Sequence, residues 1–236
     1  MKYIKNKVWQ FLNAFGYDIH RSNTRQLFRA LELFEVDLVL DVGANVGQFV
    51  TELRAAGFRG KVVSFEPLSS AWSALKHTAR HDASWEIGSR CAIGDFNGEI
   101  EINIAGNSAS SSILPMLEAH SSAAEGSAYV GSERVPIFKL DSVASKYLMN
   151  SRKPFLKIDT QGFEWQVLDG ASEILPLVQG VLCELSLVPL YESQRLWQDI
   201  IRRLENDGFK LWSIHRGFTD PRDGRTLQID ATFFRS

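Results

Sequence analysis

The sequence of 236 residues has only two cysteines, Cys91 and Cys183, which lie far apart in the chain. It contains no CxxC pair and no histidine grouping at metal-ligand spacing, so neither a disulfide framework nor a zinc site is expected. No apolar run reaches the roughly 18–20 residues of a membrane-spanning helix, and the amino terminus has no signal-peptide pattern. Together these absences predict a cytoplasmic protein.

The chain also lacks an excess of positive charge. Its 26 lysines and arginines stand against 28 aspartates and glutamates, a net charge of −2. A dedicated nucleic-acid-binding protein uses a strong positive excess to neutralise phosphates, so no nucleic-acid partner is expected. With 44% hydrophobic and 23% charged residues, the composition is that of a globular chain with one sizeable core or two small ones.

The amino terminus differs from the rest of the chain. Residues 1–30 contain six lysines and arginines but a single aspartate, and apolar residues recur every three or four positions between Tyr3 and Phe15. This pattern predicts an amphipathic helix with a basic face. It either packs on the domain as a cap, the interpretation we favour, or makes peripheral contact with an anionic membrane surface. We therefore predict a helical extension over residues 1–35 and one domain over residues 36–236.

Short β-branched runs alternate with helical stretches from a second helix near residues 24–34 onwards, which predicts an α/β sheet. The last two strands have no helix between them and flank Asp223-Gly224, which indicates a hairpin. The polar stretch 106–112 is either a mobile lid over a site or a flexible surface loop. Strands are expected at 36–42, 61–66, 85–93, 99–104, 135–140, 154–159, 180–186, 209–215 and 227–235, and further helices at 48–56, 69–80, 164–175 and 194–206.

A glycine-containing turn, Asp41-Val-Gly-Ala-Asn-Val-Gly47, joins the first strand to a helix, where backbone N–H groups can meet a ligand. It does not match the dinucleotide pattern GxGxxG, and Asp41 would oppose a pyrophosphate. A carboxylate there suits an ammonium group, while the loop amides can receive a ligand carboxylate. Glu66, at the end of the second strand, can accept two ribose hydroxyl hydrogen bonds. S-adenosylmethionine joins an amino-acid head to an adenosine, so the glycine turn and Glu66 together point to this cofactor.

Four ordered motifs between residues 38 and 190 resemble those of the FkbM family of S-adenosylmethionine-dependent methyltransferases: residues 40–49, 65–67, 91–95 and 156–164, the last followed by 167–171. The resemblance implies a class I methyltransferase Rossmann-like sheet, mostly parallel with an antiparallel carboxyl-terminal hairpin strand and with helices on both faces. It also implies O-methylation of a sugar hydroxyl in a glycan, glycolipid or glycosylated natural product, or of a hydroxyl on a natural-product scaffold.

The resemblance also assigns roles to single residues. The methionine end of the cofactor would be lined by Asp41, Gly43, Asn45 and Gly47, the ribose would be held by Glu66, the adenine would border Cys91 and Ala92, and Asp159 would lie beside the transferred methyl group. One position departs from the pattern. The family often has Glu-Gly after this strand, whereas this chain has Gln161-Gly162, which leaves the charge near the acceptor open.

A hydroxyl acceptor must lose a proton, so a general base is expected within hydrogen-bond reach. Four candidates stay open, namely Asp159, Glu184, His215 and Glu164. The intrinsic pKa of His215 suits neutral pH best, whereas the resemblance favours Asp159. No compact ligand motif supports a divalent metal, so none is expected.

Two other functions compete with methyl transfer. A nicotinamide-dependent oxidoreductase is disfavoured by the missing glycine and by Asp41. A non-catalytic scaffold that retains the cofactor pocket is disfavoured because Asp41, Glu66 and Asp159 are all present. The acceptor and the oligomeric state are not predicted.

Overall fold

The computed structural model describes residues 23–235. The basic amphipathic helix predicted near the amino terminus lies outside the described residues and stays a prediction. The first described element is helix α1 (Asn23–Leu33), which confirms the second predicted helix. Leu27 and Leu31 on α1 are buried in one hydrophobic cluster with Val39 of the first strand.

After α1, the described chain alternates strands and helices in the order β1 (Leu38–Val42), α2 (Gln48–Ala56), β2 (Lys61–Phe65), α3 (Ser69–Ala79), β3 (Trp85–Ile87), β4 (Ala92–Ile93), β5 (Gly98–Ala105), α4 (Glu118–Ser121), β6 (Tyr129–Phe138), α5 (Leu140–Leu148), β7 (Pro154–Ile158), α6 (Glu164–Asp169), β8 (Gly180–Ser186), α7 (Trp197–Asn206), β9 (Lys210–Arg216) and β10 (Gln228–Phe234). Short 3-10 turns occur at Ser108–Ser110 and Leu175–Leu177.

Seven of these strands form one sheet in the order β3-β2-β1-β7-β8-β10-β9. All neighbours are parallel except that β10 runs antiparallel to both β8 and β9. Alternate residues of β1 reach opposite faces, since Leu40 belongs to the cluster that packs on α5, α6 and α7, whereas Val39 belongs to the one that packs on α1, α2 and α3. The fold prediction, including the antiparallel hairpin strand and helices on both faces, is confirmed.

A smaller sheet lies beside the main one, with strand order β4-β6-β5. The predicted single strand over residues 85–93 is wrong, because β3 ends at Ile87 and Ala92–Ile93 belongs to this second sheet. Gly88 follows the end of β3 and packs closely on β2, since a Cβ atom on it would lie 2.7 Å from the Phe65 ring. The predicted strand at 135–140 overlaps the last four residues of the longer β6, which ends at Phe138.

Two helices are shorter than predicted. Helix α7 begins at Trp197, three residues after the expected start at Gln194. Helix α6 ends at Asp169 instead of near Leu175. Gly170 follows it and packs directly on the segment after β4, since a Cβ atom on it would be 1.8 Å from the carbonyl oxygen of Gly94. The close approach of these two glycines joins α6 to the segment after β4.

We predict that Gly170→Ala lowers the free energy of unfolding by about 1–3 kcal/mol, because the added methyl group has no space next to the Gly94 carbonyl. Denaturant unfolding measures the loss. Gly131→Ala is the matched control, since no atom lies within 4 Å of its Cβ position, and a change within about 0.5 kcal/mol is expected. Equal stability of the two variants would contradict the close packing of the end of α6 on the segment after β4.

Candidate active site

A cavity of about 290 Å³ opens at the carboxyl ends of β1, β2, β7 and β8. This is where open α/β sheets bind their ligands, and the volume is near the lower end for small-molecule sites. The second sheet and the segment that follows β5 form the other wall, with Ala92, Ile102, Ser108 and Ser112 among the lining residues. The cavity therefore lies between the main sheet and the smaller one.

The glycine turn after β1 fits tightly against the turn after β7. Gly43 has a φ of +77°, and a Cβ atom on it would lie 1.8 Å from the backbone oxygen of Asp159. The N–H groups of Gly43 and Ala44 donate to the carbonyl of Phe65, and that of Asn45 donates to Glu66 Oε2. These three amides are occupied within the protein.

Glu66 lies at the end of β2 with 5% of its surface exposed. Oε2 accepts from the Asn45 N–H at 2.8 Å, and Oε1 accepts from the Leu68 N–H at 2.9 Å. Burial raises the pKa of Glu66 to about 7, although these two backbone hydrogen bonds oppose the increase. Each carboxylate oxygen retains a second lone pair, and the residue lines the cavity. The two oxygens can therefore accept hydrogen bonds from two hydroxyl groups.

Asp41 is fully buried in β1 and does not line the cavity. Its Oδ2 accepts a 2.7 Å hydrogen bond from Ser64 Oγ, which in turn accepts from Trp85 Nε1 at 2.9 Å. Its Oδ1 lies 3.2 Å from Lys157 Nζ. The carboxylate therefore does not contact the cavity itself, and its neighbour Lys157 does.

Lys157 on β7 is the functional residue that the sequence reasoning missed. Its side chain is 7% exposed, and Nζ donates to the Gly43 carbonyl at 2.8 Å while lying 3.5 Å from Asp159 Oδ2. Burial acts to lower the pKa of Lys157, but the Asp41 and Asp159 carboxylates more than offset it and hold the pKa above its usual value. The signal available in the sequence was a lysine within the apolar run 154–158, immediately before Ile158 and Asp159.

Asp159 and Glu184 line the cavity side by side. The Asp159 side chain is 37% exposed, and its Oδ1 accepts from Gln161 Nε2 at 2.9 Å. The same nitrogen donates to Glu184 Oε2 at 2.7 Å, and Gln228 Nε2 donates to that oxygen at 2.6 Å. Burial, together with the Asp159 and Asp230 carboxylates, raises the pKa of Glu184 well above its ordinary value. Two acids of unequal environment therefore share one amide donor.

Two of the predicted bases lie elsewhere. Glu164 is buried beneath the turn after β7, where one carboxylate oxygen accepts from the N–H groups of Thr160 and Gly162, both at 3.0 Å. Its pKa is raised by burial. His215 lies on β9, which β10 separates from β8, and it does not line the cavity. Burial lowers the pKa of His215.

The cavity thus brings together most of the residues assigned from the sequence: Gly43, Asn45, Glu66, Cys91, Ala92, Asp159 and Glu184. It does not bring Asp41, Gly47, Glu164 or His215 to its surface. Gly47 precedes α2 with a φ of +95°, and a Cβ atom on it would lie 2.7 Å from the Trp85 ring. Gly47 therefore supports the start of the helix by close packing.

The segment 108–112 covers the cavity from the side of the second sheet. Ser108 Oγ donates to Asn45 Oδ1 at 3.2 Å, and Ser112 Oγ donates to the Gln161 carbonyl at 2.6 Å. The Tyr191 hydroxyl oxygen lies 3.3 Å from the carbonyl oxygen of Ser110, and its single proton is donated to the nearer Gln161 Oε1 at 3.0 Å. These contacts bind the segment to both turns of the cavity, which favours a cover over a loop on the open surface.

Two kinds of feature are absent from the described residues. Between residues 23 and 235, no group of three or more histidine, cysteine, aspartate or glutamate side chains is arranged to hold a metal ion. Over the same residues, no helix combines the length and apolar character needed to cross a bilayer.

Comparison with known proteins gives one family. The model of the methyltransferase FkbM domain matches residues 41–211, a segment that contains the glycine turn, Glu66, Asp159 and Glu184. No curated protein shows significant sequence similarity to the chain.

Several solved methyltransferase structures align with the chain at low identity. The magnesium protoporphyrin IX methyltransferase of Synechocystis PCC 6803 is 12% identical, with a TM-score of 0.46 over 98% of this chain and 97% of that one. The 1,6-didemethyltoxoflavin-N1-methyltransferase of Burkholderia thailandensis is 11% identical, with a TM-score of 0.48 over 91% of this chain and 77% of that one. A TehB-like SAM-dependent methyltransferase of Corynebacterium glutamicum is 13% identical, with a TM-score of 0.43 over 99% and 97%.

We predict that Lys157→Met lowers the free energy of unfolding by about 3–5 kcal/mol, because it leaves the buried Asp41 carboxylate without its cation. Chemical denaturation measures the loss. The double variant Asp41→Asn, Lys157→Met removes both charges and should recover part of it. A double variant no more stable than the single one would show that the ion pair is not what the lysine contributes.

Proposed function

Because the chain belongs to the FkbM methyltransferase family and is an S-adenosylmethionine-dependent methyltransferase, we propose that it methylates a sugar hydroxyl in a glycan, glycolipid or glycosylated natural product. The observation that carries the proposal is the Asp159 carboxylate, which is partly exposed at the cavity and held next to the glycine turn by Lys157. A carboxylate at this place can take the proton that a hydroxyl must lose.

The residues present fit the cofactor. Glu66 offers lone pairs to two ribose hydroxyls, and Cys91, Ala92 and Ile93 give an apolar wall on which an adenine can lie. The Gly43 and Asn45 turn borders the same space, between Glu66 and Asp159. S-adenosylmethionine supplies an activated methyl group bound to a positively charged sulfur. In the proposed arrangement the protein supplies the alignment of the acceptor oxygen with that group, from which most of the rate gain comes.

In the proposed mechanism, Asp159 is the general base. Gln161 occupies Oδ1, so Oδ2 is the oxygen that would take the proton that the acceptor hydroxyl must lose when it is methylated. Lys157 lies 3.5 Å from Oδ2 and orients it. Glu184, whose raised pKa favours the protonated form, can donate a hydrogen bond to a neighbouring oxygen of the acceptor.

The lining of the cavity supports a neutral, hydroxyl-rich acceptor. Serine hydroxyls, amide groups and carboxylates surround the acceptor end, including Ser108, Ser112, Gln161 and Glu184. Of the described residues that line the cavity, Lys157 alone is cationic, and it is bonded to Gly43, Asp41 and Asp159. An anionic acceptor such as nucleic acid would lack a partner for its phosphates, so the proposal excludes it. We also propose that the protein is cytoplasmic, as expected from the sequence.

The ribose assignment predicts a pH-dependent affinity for S-adenosylhomocysteine. The ionised form of Glu66 accepts both hydroxyls, and its pKa is about 7, so affinity should rise with pH between about pH 6 and pH 8, by at most about tenfold per unit. Glu66→Gln should bind at least about tenfold more weakly at pH 8 and lose most of this pH dependence. Titration calorimetry measures both. A variant with unchanged affinity would place the ribose elsewhere.

The base assignment predicts that Asp159→Asn binds S-adenosylhomocysteine within about threefold of wild type but transfers methyl groups at least about 100-fold more slowly. Transfer of radiolabelled methyl groups to a panel of glycan and glycolipid acceptors measures turnover. Asp169→Asn makes the same chemical change at an acid that pairs with Arg203 outside the cavity, and its turnover should be unchanged.

Three outcomes would contradict the proposal. Normal turnover by Asp159→Asn would remove Asp159 as the base. Wild-type protein that binds S-adenosylhomocysteine but methylates no sugar-containing acceptor, while methylating an amine or a thiol, would overturn O-methylation. Binding without any turnover would favour the scaffold interpretation.

A further inference from the structure

We propose that Gln161 is a positioning residue, whose side-chain amide fixes Asp159 and Glu184 next to each other at the acceptor end of the cavity and connects this acid pair to the covering segment 108–112. The inference rests on the proposed function, in which these acids meet the acceptor. It gives a role to the position at which the chain departs from the family resemblance.

The hydrogen bonds determine how the amide is oriented. Gln161 Nε2 donates one hydrogen to Asp159 Oδ1 and the other to Glu184 Oε2, at 2.9 and 2.7 Å. Gln161 Oε1 accepts from the Tyr191 hydroxyl at 3.0 Å. Burial raises the pKa of Tyr191, so its hydroxyl stays a donor at neutral pH. A flipped amide would turn its oxygen towards two carboxyl groups and its nitrogen towards a donor, so this orientation is strongly preferred.

The backbone of Gln161 supports the same arrangement. Its φ of +54° lies in the left-handed region, and in this conformation its side chain reaches Asp159 at the end of β7. Its carbonyl oxygen accepts from Ser112 Oγ at 2.6 Å, and Tyr191 reaches from Gln161 to the Ser110 carbonyl. Gln161 therefore contacts the acid pair through its side chain and the covering segment through its backbone.

The charges around Glu184 explain why a neutral donor is needed here. Asp159 faces it from the turn after β7, Asp230 from β10 and Glu164 from beneath the turn, whereas Lys157 is the cation that acts on it from β7. Carboxylates this close in a buried setting repel one another. The two hydrogens of the Gln161 amide let one ionised and one protonated acid lie side by side, and a glutamate at this position would add a further negative charge.

Two amides contact this pair, which provides a matched comparison. Gln228 donates to Glu184 alone, whereas Gln161 donates to both acids. Gln161→Asn and Gln228→Asn each retract an amide by one methylene group. Asparagine also tolerates the left-handed backbone at position 161, so the first variant should fold.

The experiment is a carbon-13 NMR titration of the side-chain carboxyl groups in the full chain, between about pH 4 and pH 10. Loss of a donor to the ionised form raises a titration midpoint by about one pH unit. In Gln161→Asn, both the Asp159 and the Glu184 resonances should titrate at higher pH. In Gln228→Asn, Glu184 should shift while Asp159 moves less than half as far. If Gln161→Asn leaves Asp159 unchanged, or both variants move both acids equally, the proposal is overturned.

Tyr191→Phe gives a second reading with the glutamine retained. Removing the hydroxyl that orients the amide should move both resonances in the same direction as Gln161→Asn, by a smaller amount, and unchanged midpoints would contradict the proposed orientation. S-adenosylhomocysteine calorimetry on the same samples separates the two proposals. Wild-type protein that fails to bind it would count against the proposed function, whereas the carboxyl titrations need no ligand and still decide the role of Gln161.

Discussion

A single buried ammonium group connects the parts of this molecule on which the site depends. Lys157 Nζ contacts the Asp41 carboxylate within the sheet, the Gly43 carbonyl of the first turn and the Asp159 carboxylate at the cavity. Burial alone would favour a neutral amine, and two nearby anions are needed to keep it charged. The glycine turn and Asp159 are therefore held in fixed positions by one cation that contacts both.

Both sheets contribute walls to the cavity. The main sheet supplies Glu66 and Asp159 from the ends of the parallel strands β2 and β7 on either side of β1, which places them at one edge. The smaller sheet supplies the cover, since the segment 108–112 follows directly from β5 and bonds to Asn45 and Gln161. The segment 108–112, which interrupts the regular α/β alternation, thus encloses the site. Enclosure strengthens electrostatic interactions by excluding water.

The sequence was sufficient to predict what depends on local order along the chain. The glycine turn, Glu66 and Asp159 each follow a recognisable strand, and the ends of parallel strands meet in any α/β sheet, so their proximity was predictable. Lys157 was not found because its significance depends on Asp41, more than a hundred residues earlier. His215 was overvalued as a candidate because β10 enters the sheet between β8 and β9, which sequence order conceals. The contacts of Gln161 with Glu184 and Tyr191 likewise depend on the assembled fold.

The structure of the protein in complex with S-adenosylhomocysteine would test the central claim most directly, namely that Lys157 and the two turns set the methyl group against Asp159. The account predicts the ribose hydroxyls on Glu66 and the sulfur facing the space between Asp159 and Glu184. A complex with the ribose on Glu66 but the sulfur directed away from both acids would contradict it.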